Sequence, residues 1–201
     1  MIILILGPDG VGKTTVSQEL ANRLNFEYYY GGARNPATWI LKLRQKRAKE
    51  KINKTGNIKN NDSFTKPTLL KRVKSKTMRY LSLFLLVFDG IVKLKQLKKQ
   101  NRDFILDRSV FDVFIQNDEM WQMSPRNFLI KFFKRFIDRA ILLEVEPKKV
   151  FERKQELTVE EISKQYERYR TIIELVDGKI VENYDFEKTV ESIDEIISRD
   201  I

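Results

Sequence analysis

The sequence predicts an α/β fold: a five-stranded parallel sheet with helices on both faces. Three observations predict it. Five short apolar segments, at 2–6, 26–30, 104–106, 140–145 and 180–182, read as strands. Segments with helical spacing separate them, an alternation that favours parallel pairing through helical crossovers. A glycine-rich turn follows the first segment at once and opens the first helix. The 201 residues suit a single domain, 1–201, and contain no repeat or linker.

Each element has its own justification. Ile2–Leu6 is a continuous apolar run, as in a strand buried on both faces. Lys13–Leu24 places Val16, Leu20 and Leu24 on one helical face. Residues 26–30 are aromatic and strand-like, closed by Gly31-Gly32. A basic helix is predicted over 38–49. Residues 51–67 are rich in Lys and Asn, with only Ile52, Ile58 and Phe64 apolar, a composition that reads as a flexible basic loop. Residues 69–97 are helical in propensity, with a break expected near Asp89-Gly90. The strand at 104–106 runs into Asp107-Arg108. A helix over 128–138 precedes the strand at 140–145, which Glu146-Pro147 stops. Residues 148–175 are helical with a polar interruption at 155–158. A last strand at 180–182 and a last helix over Phe186–Ser198 complete the pattern.

Composition narrows the chemistry. Hydrophobic residues make up 42% and charged residues 33%, an ordinary globular balance. There is no cysteine, which excludes disulfides and thiolate metal sites and fits a cytoplasmic address. There is no histidine, which excludes a histidine base and histidine-ligated metals. Chemistry must therefore run on carboxylates, Lys, Arg, hydroxyls, backbone N–H groups and a borrowed metal. No membrane span is expected, because the best apolar run, 81–88, is far shorter than the roughly 20 residues a spanning helix needs. The apolar start ends at Gly7-Pro8-Asp9, too soon for a signal sequence.

The net charge of +10 is unevenly placed. Between Arg34 and Arg79 stand 15 Lys/Arg and two acids, a local +13 that leaves the rest of the chain slightly negative at −3. A basic stretch of this kind reads either as a polyanion-binding surface or as a solvated loop beside an anion site. The loop offers only Phe64 as a stacking platform, so no stable nucleic-acid partner is expected.

The segment Gly7-Pro8-Asp9-Gly10-Val11-Gly12-Lys13-Thr14 fits Gly-x4-Gly-Lys-Ser/Thr. Glycines let a backbone wrap phosphates and turn its N–H groups inward. The helix that follows presents its positive end to the anion. Lys13 can reach the β- and γ-phosphates, and the Thr14 hydroxyl can ligate Mg2+. The motif lies between an apolar strand and an amphipathic helix, which is its confirming context. These features predict a three-layer P-loop NTPase fold that uses ATP and Mg2+. Asp107-Arg108 ends an apolar strand, at the edge where open parallel sheets bind ligands. An acid there can hold Mg2+ or its waters, and an arginine can grip phosphate.

Together these residues resemble thymidylate kinase and its relatives among nucleoside monophosphate kinases. Arg34-Asn35-Pro36 looks like the family's Arg-x-Pro, and 81–89 looks like the helix lining its acceptor pocket. Ile141 to Glu156, with Arg153-Lys154, looks like the strand leading into its lid, and Tyr166 and Tyr169 match aromatic positions after that lid. The spacing Asp107-Arg108-x-x-x-Asp112 is closer still to divergent thymidylate-kinase-like proteins of surface-polysaccharide gene clusters. The resemblance implies a helical acceptor-side region and a short lid over 148–170. It implies that Gly7, Pro8, Asp9, Gly10, Val11, Gly12, Lys13, Thr14 and Thr15 hold the donor, with Asn183 and Tyr184 on the adenine side. Lys13 and Asp107 would act in transfer, Thr14 and Asp107 would position Mg2+, and Asp9 would meet the acceptor's sugar hydroxyl.

In the same resemblance, Arg34 and Arg108 would clamp the acceptor phosphate, with Phe84 and Phe88 near its base. Gly10 stands where some members carry a catalytic arginine, so a lid cation is implied: Arg153 first, Lys154 second, with Arg168 also open. The sequence departs from the family at Asp89-Gly90, where Asp-Arg is common, and at Ser109, where tyrosine is common. The implied activity is transfer from ATP to a nucleoside monophosphate, thymidylate first. Another small nucleotide or sugar-type acceptor, and a nucleotide-binding regulatory protein without transfer, are the alternatives. A homodimer is left open. Tyr28, Tyr29 and Tyr30 read as strand packing, as do Trp39 and Trp121 at their own positions.

Overall fold

Five strands form one wholly parallel sheet in the order β2-β3-β1-β4-β5. A computed structural model describes residues 1–31, 85 and 88–198. Packing divides the chain into Met1–Gly32 with Gly90–Ile201, and Ala33–Asp89. Nearly all of the second unit lies outside the described residues, as do the helix expected at 38–49 and the loop at 51–67. Apart from the start of one helix, the described elements belong to the first unit.

The central strand β1 (Ile2–Leu6) is buried at every position. It pairs with β3 (Phe104–Asp107) on one side and β4 (Arg139–Glu144) on the other. Side chains alternate across a strand. Ile3 and Ile5 therefore join the core cluster of Val16 and Leu20 from helix α1 (Lys13–Leu24), while Ile2, Leu4 and Leu6 face the opposite layer. Both faces are covered, which explains an apolar run with no polar alternation. The edges are β2 (Glu27–Tyr30) beside β3, and β5 (Lys179–Glu182) beside β4.

Helix α1 ends at Asn25, whose φ of 56° closes it in the left-handed conformation. A helix α2 is described over 88–99, with Leu94 and Leu97 buried. It runs unbroken through Asp89 and Gly90, against the expected break. Gly90 serves close packing and not a turn: a Cβ there would lie 3.1 Å from Phe133 Cε1.

After β3 come two helices that the sequence pattern does not predict, α3 (Val110–Gln116) and α4 (Asp118–Trp121). Helix α5 (Arg126–Lys134) starts before the predicted 128 and stops before 138. It stops because Asp138 turns into the sheet, exchanging hydrogen bonds with Ile2 through its own N–H (2.9 Å) and its carboxylate (2.7 Å). Helix α6 (Pro147–Arg153), the predicted interruption, and α7 (Val159–Leu175) follow β4. Thr158 and Glu161 form a capping box that starts α7 after that interruption. Helix α8 (Phe186–Ser198) closes the chain and packs against α1.

Candidate active site

The strand that carries the glycine-rich loop is the middle strand of the sheet, so the loop leaves the C-terminal edge at its centre. Gly7, Gly10 and Gly12 have φ of 145°, 94° and 98°. A Cβ on Gly7 would come within 2.8 Å of Val11 Cγ1 and 3.0 Å of the Leu143 carbonyl oxygen. One on Gly12 would come within 2.8 Å of Asn183 Nδ2. Neither conformation nor space admits a side chain. Asn183, 7% exposed, donates from Nδ2 to the Val11 carbonyl at 2.7 Å and from its N–H to the Glu144 carbonyl at 2.7 Å. It ties the loop to the end of β5. Gly12 starts α1 without a capping side chain, so no side chain competes for the first-turn N–H groups. A phosphate fits this cradle.

Lys13 is 5% exposed. Its ammonium donates to the carbonyls of Gly7 (2.7 Å) and Pro8 (2.9 Å) and to Asp9 (3.4 Å). The cation therefore lies along the glycine-rich loop. Thr14 and Thr15 are exposed at the mouth.

Asp107 is fully buried at the end of β3. Thr14 Oγ1 donates to its Oδ2 at 2.6 Å, and the Tyr28 hydroxyl donates to the same oxygen at 3.0 Å. Its other oxygen, Oδ1, is buried and has no hydrogen-bond partner among the described residues. A bare buried carboxylate oxygen beside a threonine hydroxyl is the donor set a hard cation takes. Mg2+ fits: it keeps most of its waters and phosphate oxygens and asks one or two oxygen ligands of the protein. Among the described residues no cluster of three acids competes for a metal.

Asp9 gathers the cations. Arg108 Nη2 donates to its Oδ1 at 2.5 Å, and Lys154 Nζ lies 4.0 Å from Oδ2. Burial pushes the Asp9 carboxyl up, but the Arg108 hydrogen bond and the charges of Lys13, Arg108 and Lys154 outweigh it and hold the group below its ordinary value. Arg108 has φ of 72°, a conformation that is about 1–2 kcal/mol unfavourable for a residue with a Cβ. Gly31 makes that turn possible, for a Cβ there would collide with the Arg108 carbonyl oxygen. The Arg108 guanidinium also stands 5.9 Å from the Tyr30 ring.

Behind Arg108, Asp112 and Tyr169 form a buried pair. The Asp112 carboxylate accepts from the Ser109 N–H (2.7 Å) and the Tyr169 hydroxyl (2.7 Å). Burial raises the Asp112 carboxyl, against the opposing pull of Lys13, the Ser109 N–H, Tyr169 and Arg108. Tyr166 lies one turn away, and its hydroxyl accepts from the Val145 N–H at 3.0 Å, just past the end of β4.

The candidate lid cations separate. Lys154 Nζ lies 3.2 Å from Glu156 Oε2 and 4.0 Å from Asp9 Oδ2, and a Cβ on Gly10 would stand 3.1 Å from Lys154 Cβ. Arg153 is exposed on the last turn of α6. Arg168 is 7% exposed and engaged elsewhere, donating to the Ile115 carbonyl at 2.6 Å, pairing with Asp118 and stacking on Trp121. Phe88 is exposed on α2. Arg34 and Phe84 lie outside the described residues. Tyr184 is exposed beside Lys149, whose ammonium stands 4.9 Å from its ring. Beyond β4 and β5 a hollow of about 370 Å³ opens between Glu144, Pro147, Tyr166 and Tyr184. Among the described residues no helix is long and apolar enough to cross a membrane.

Two features of the site escape the sequence pattern. Tyr28 reads as packing there; strand alternation puts it on the Asp107 face only once the pairing is known. Ser109-x-x-Asp112, a capping-box spacing with aspartate at the third position, is the signal that could have found α3.

No family model matches the chain, and no curated protein does. Solved structures do. Deoxyadenosine kinase from M. mycoides with bound dATP is similar at a TM-score of 0.57 and 18% identity, covering 98% of this chain and 100% of that one. The YorR protein of Bacillus subtilis, in complex with phosphorylated GDP, is similar at 0.52 and 14%, covering 98% and 96%. A gluconokinase from Sinorhizobium meliloti 1021 is similar at 0.50 and 14%, covering 94% and 86%. At such identities the likeness is one of architecture, and with the parallel sheet and the glycine-rich loop it gives this chain the three-layer α/β P-loop fold.

Proposed function

We propose that the chain transfers the terminal phosphoryl group of ATP to a small phosphate-bearing acceptor, a nucleoside monophosphate with thymidylate first. The observation that carries the reading is Asp107, a buried carboxylate that shares a hydrogen bond with Thr14 at the mouth of the cradle and keeps one oxygen bare.

Lys13 and the loop N–H groups bind the donor phosphates. Thr14 and Asp107 would hold Mg2+, which neutralises charge on the β- and γ-oxygens when bound. Because Thr14 gives its hydrogen to Asp107, its oxygen lone pairs face outward. Arg108 grips the acceptor phosphate, and Asp9 orients both Arg108 and the acceptor. A phosphate oxygen is already a nucleophile, so the absence of histidine is no obstacle; positioning and charge do the work. The second anion must approach a first, and Lys13, Arg108 and Lys154 supply cations for that. Of the implied lid cations, Arg153 first and Lys154 second, we favour Lys154, on the ground that its ammonium lies 4.0 Å from Asp9.

A panel with labelled ATP tests this. dTMP is run beside other nucleoside monophosphates, deoxyadenosine and a sugar acid. Label appearing on dTMP supports the reading in full; label on another acceptor keeps the transfer and replaces the substrate; nucleotide binding without label on any acceptor overturns it in favour of a regulatory protein. Lys13→Ala and Asp107→Ala are each expected to lower transfer by orders of magnitude while the melting temperature stays close to that of the parent.

A further inference from the structure

Strand β2 reads as packing in the sequence, yet it delivers a polar group to the site. Tyr30 lies opposite Asp107 and Tyr28 opposite Ile105 in the β2–β3 register. Side chains alternate, so Tyr28, Tyr30 and Asp107 share one face of the sheet and Tyr29 takes the other. That shared face is the one α1 covers, since Ile105 and Tyr28 both belong to the cluster with Val16 and Leu20. Thr14 comes down from α1 onto it, and Tyr28 comes up from the edge strand. Their hydroxyls converge on a single oxygen, Asp107 Oδ2, at 2.6 and 3.0 Å.

The terminal torsion of an aspartate is broad and two-fold, so packing alone does not fix the plane of its carboxylate. Hydrogen bonds must. One donor on Oδ2 leaves the plane free to swing about that contact; two donors from different elements remove the swing. Oδ1 is then left buried and without a partner among the described residues. A buried acceptor in that state is unfavourable unless something meets it.

We infer that Tyr28 is a positioning residue for the cation: its hydroxyl, together with that of Thr14, fixes the plane of the Asp107 carboxylate that would serve the metal. The inference rests on the proposed phosphoryl transfer, and it predicts a specific defect. Partners that orient a metal-ligating group typically account for 10–100-fold in metal affinity.

The test uses Mn2+ as the probe, titrated by electron paramagnetic resonance into the full chain with adenylyl imidodiphosphate. Tyr28→Phe is expected to weaken Mn2+ about 10-fold while metal-free nucleotide affinity and melting temperature hold. Tyr29→Phe, on the opposite face, is expected to be silent. Because Tyr28 acts through Asp107, adding Tyr28→Phe to Asp107→Asn should weaken Mn2+ no further. Unchanged Mn2+ affinity in Tyr28→Phe overturns the inference, and so does an equal loss on the Asp107→Asn background. A wild-type protein that binds the nucleotide analogue and gains nothing from Mn2+ overturns it differently, by removing the metal site and with it the reading of the active site.

Discussion

Asp9 is the residue on which three cations converge, and its environment has a consequence for pH. Its carboxyl sits below the ordinary 3.8: burial raises it, and Arg108, Lys13 and Lys154 more than compensate. The folded form therefore releases this proton more readily than the unfolded one. The stability Asp9 contributes is complete above about pH 4 and is lost as pH falls through the depressed value. Asp9→Asn should flatten the acid limb of a stability profile below about pH 4, read from urea midpoints. Asp112 has the opposite sign, since burial raises its carboxyl; its contribution is present at low pH and lost as pH rises through the raised value. The neighbours Arg153 and Lys154 give a second contrast. Lys154→Ala is expected to slow transfer by about 100-fold, on the scale that a charge placed at the transferred group commands, while Arg153→Ala changes it little. Steady-state rates at saturating donor decide between them.

At the level of elements, capping chemistry holds the site in register. Asp112 supplies the N3 half of the capping box of α3, accepting from the Ser109 N–H, and accepts from Tyr169 on α7, so it ties two helices behind Arg108. Asp112→Ala removes that half of the box and leaves a buried phenol without its acceptor, for a loss of about 2–4 kcal/mol in chemical denaturation. Gly12→Ala should abolish nucleotide binding, because its φ of 98° and the 2.8 Å approach to Asn183 exclude a Cβ. The strands and α1 are legible in the sequence because Ile2–Leu6, 104–106 and 140–143 are continuous apolar runs, and Val16 and Leu20 recur at helical spacing. The α6–α7 interruption is legible from its polar residues. Helix α3 is not, for seven residues leave no room for periodicity. Asp89-Gly90 misleads because glycine marks both turns and close packing, and only the partner Phe133 distinguishes them.

For the whole molecule, the cradle and Asp107-Arg108 can be read as phosphate chemistry, since glycine spacing and a carboxylate at a strand end carry their reasons locally. Tyr28 and Lys154 cannot, for they reach the site only through strand register and the packing of α6 over Gly10. Under the proposed function, donor binding adds to global stability. A ligand at 100 times its dissociation constant adds about 2.7 kcal/mol. For a chain of this size each kcal/mol shifts melting by roughly 2–4 °C. Mg·ATP should thus raise the melting temperature by about 5–10 °C, and Lys13→Ala should cancel the shift in differential scanning fluorimetry. Finally, β1 is flanked on both sides and sealed on both faces. Its amides should be among the last to exchange with deuterium, at the free energy of global unfolding. The glycine-rich bend is then moored to the slowest-opening part of the protein, so under the proposed function changes at the rim, where acceptors would be chosen, would accumulate without loosening the hold on the donor.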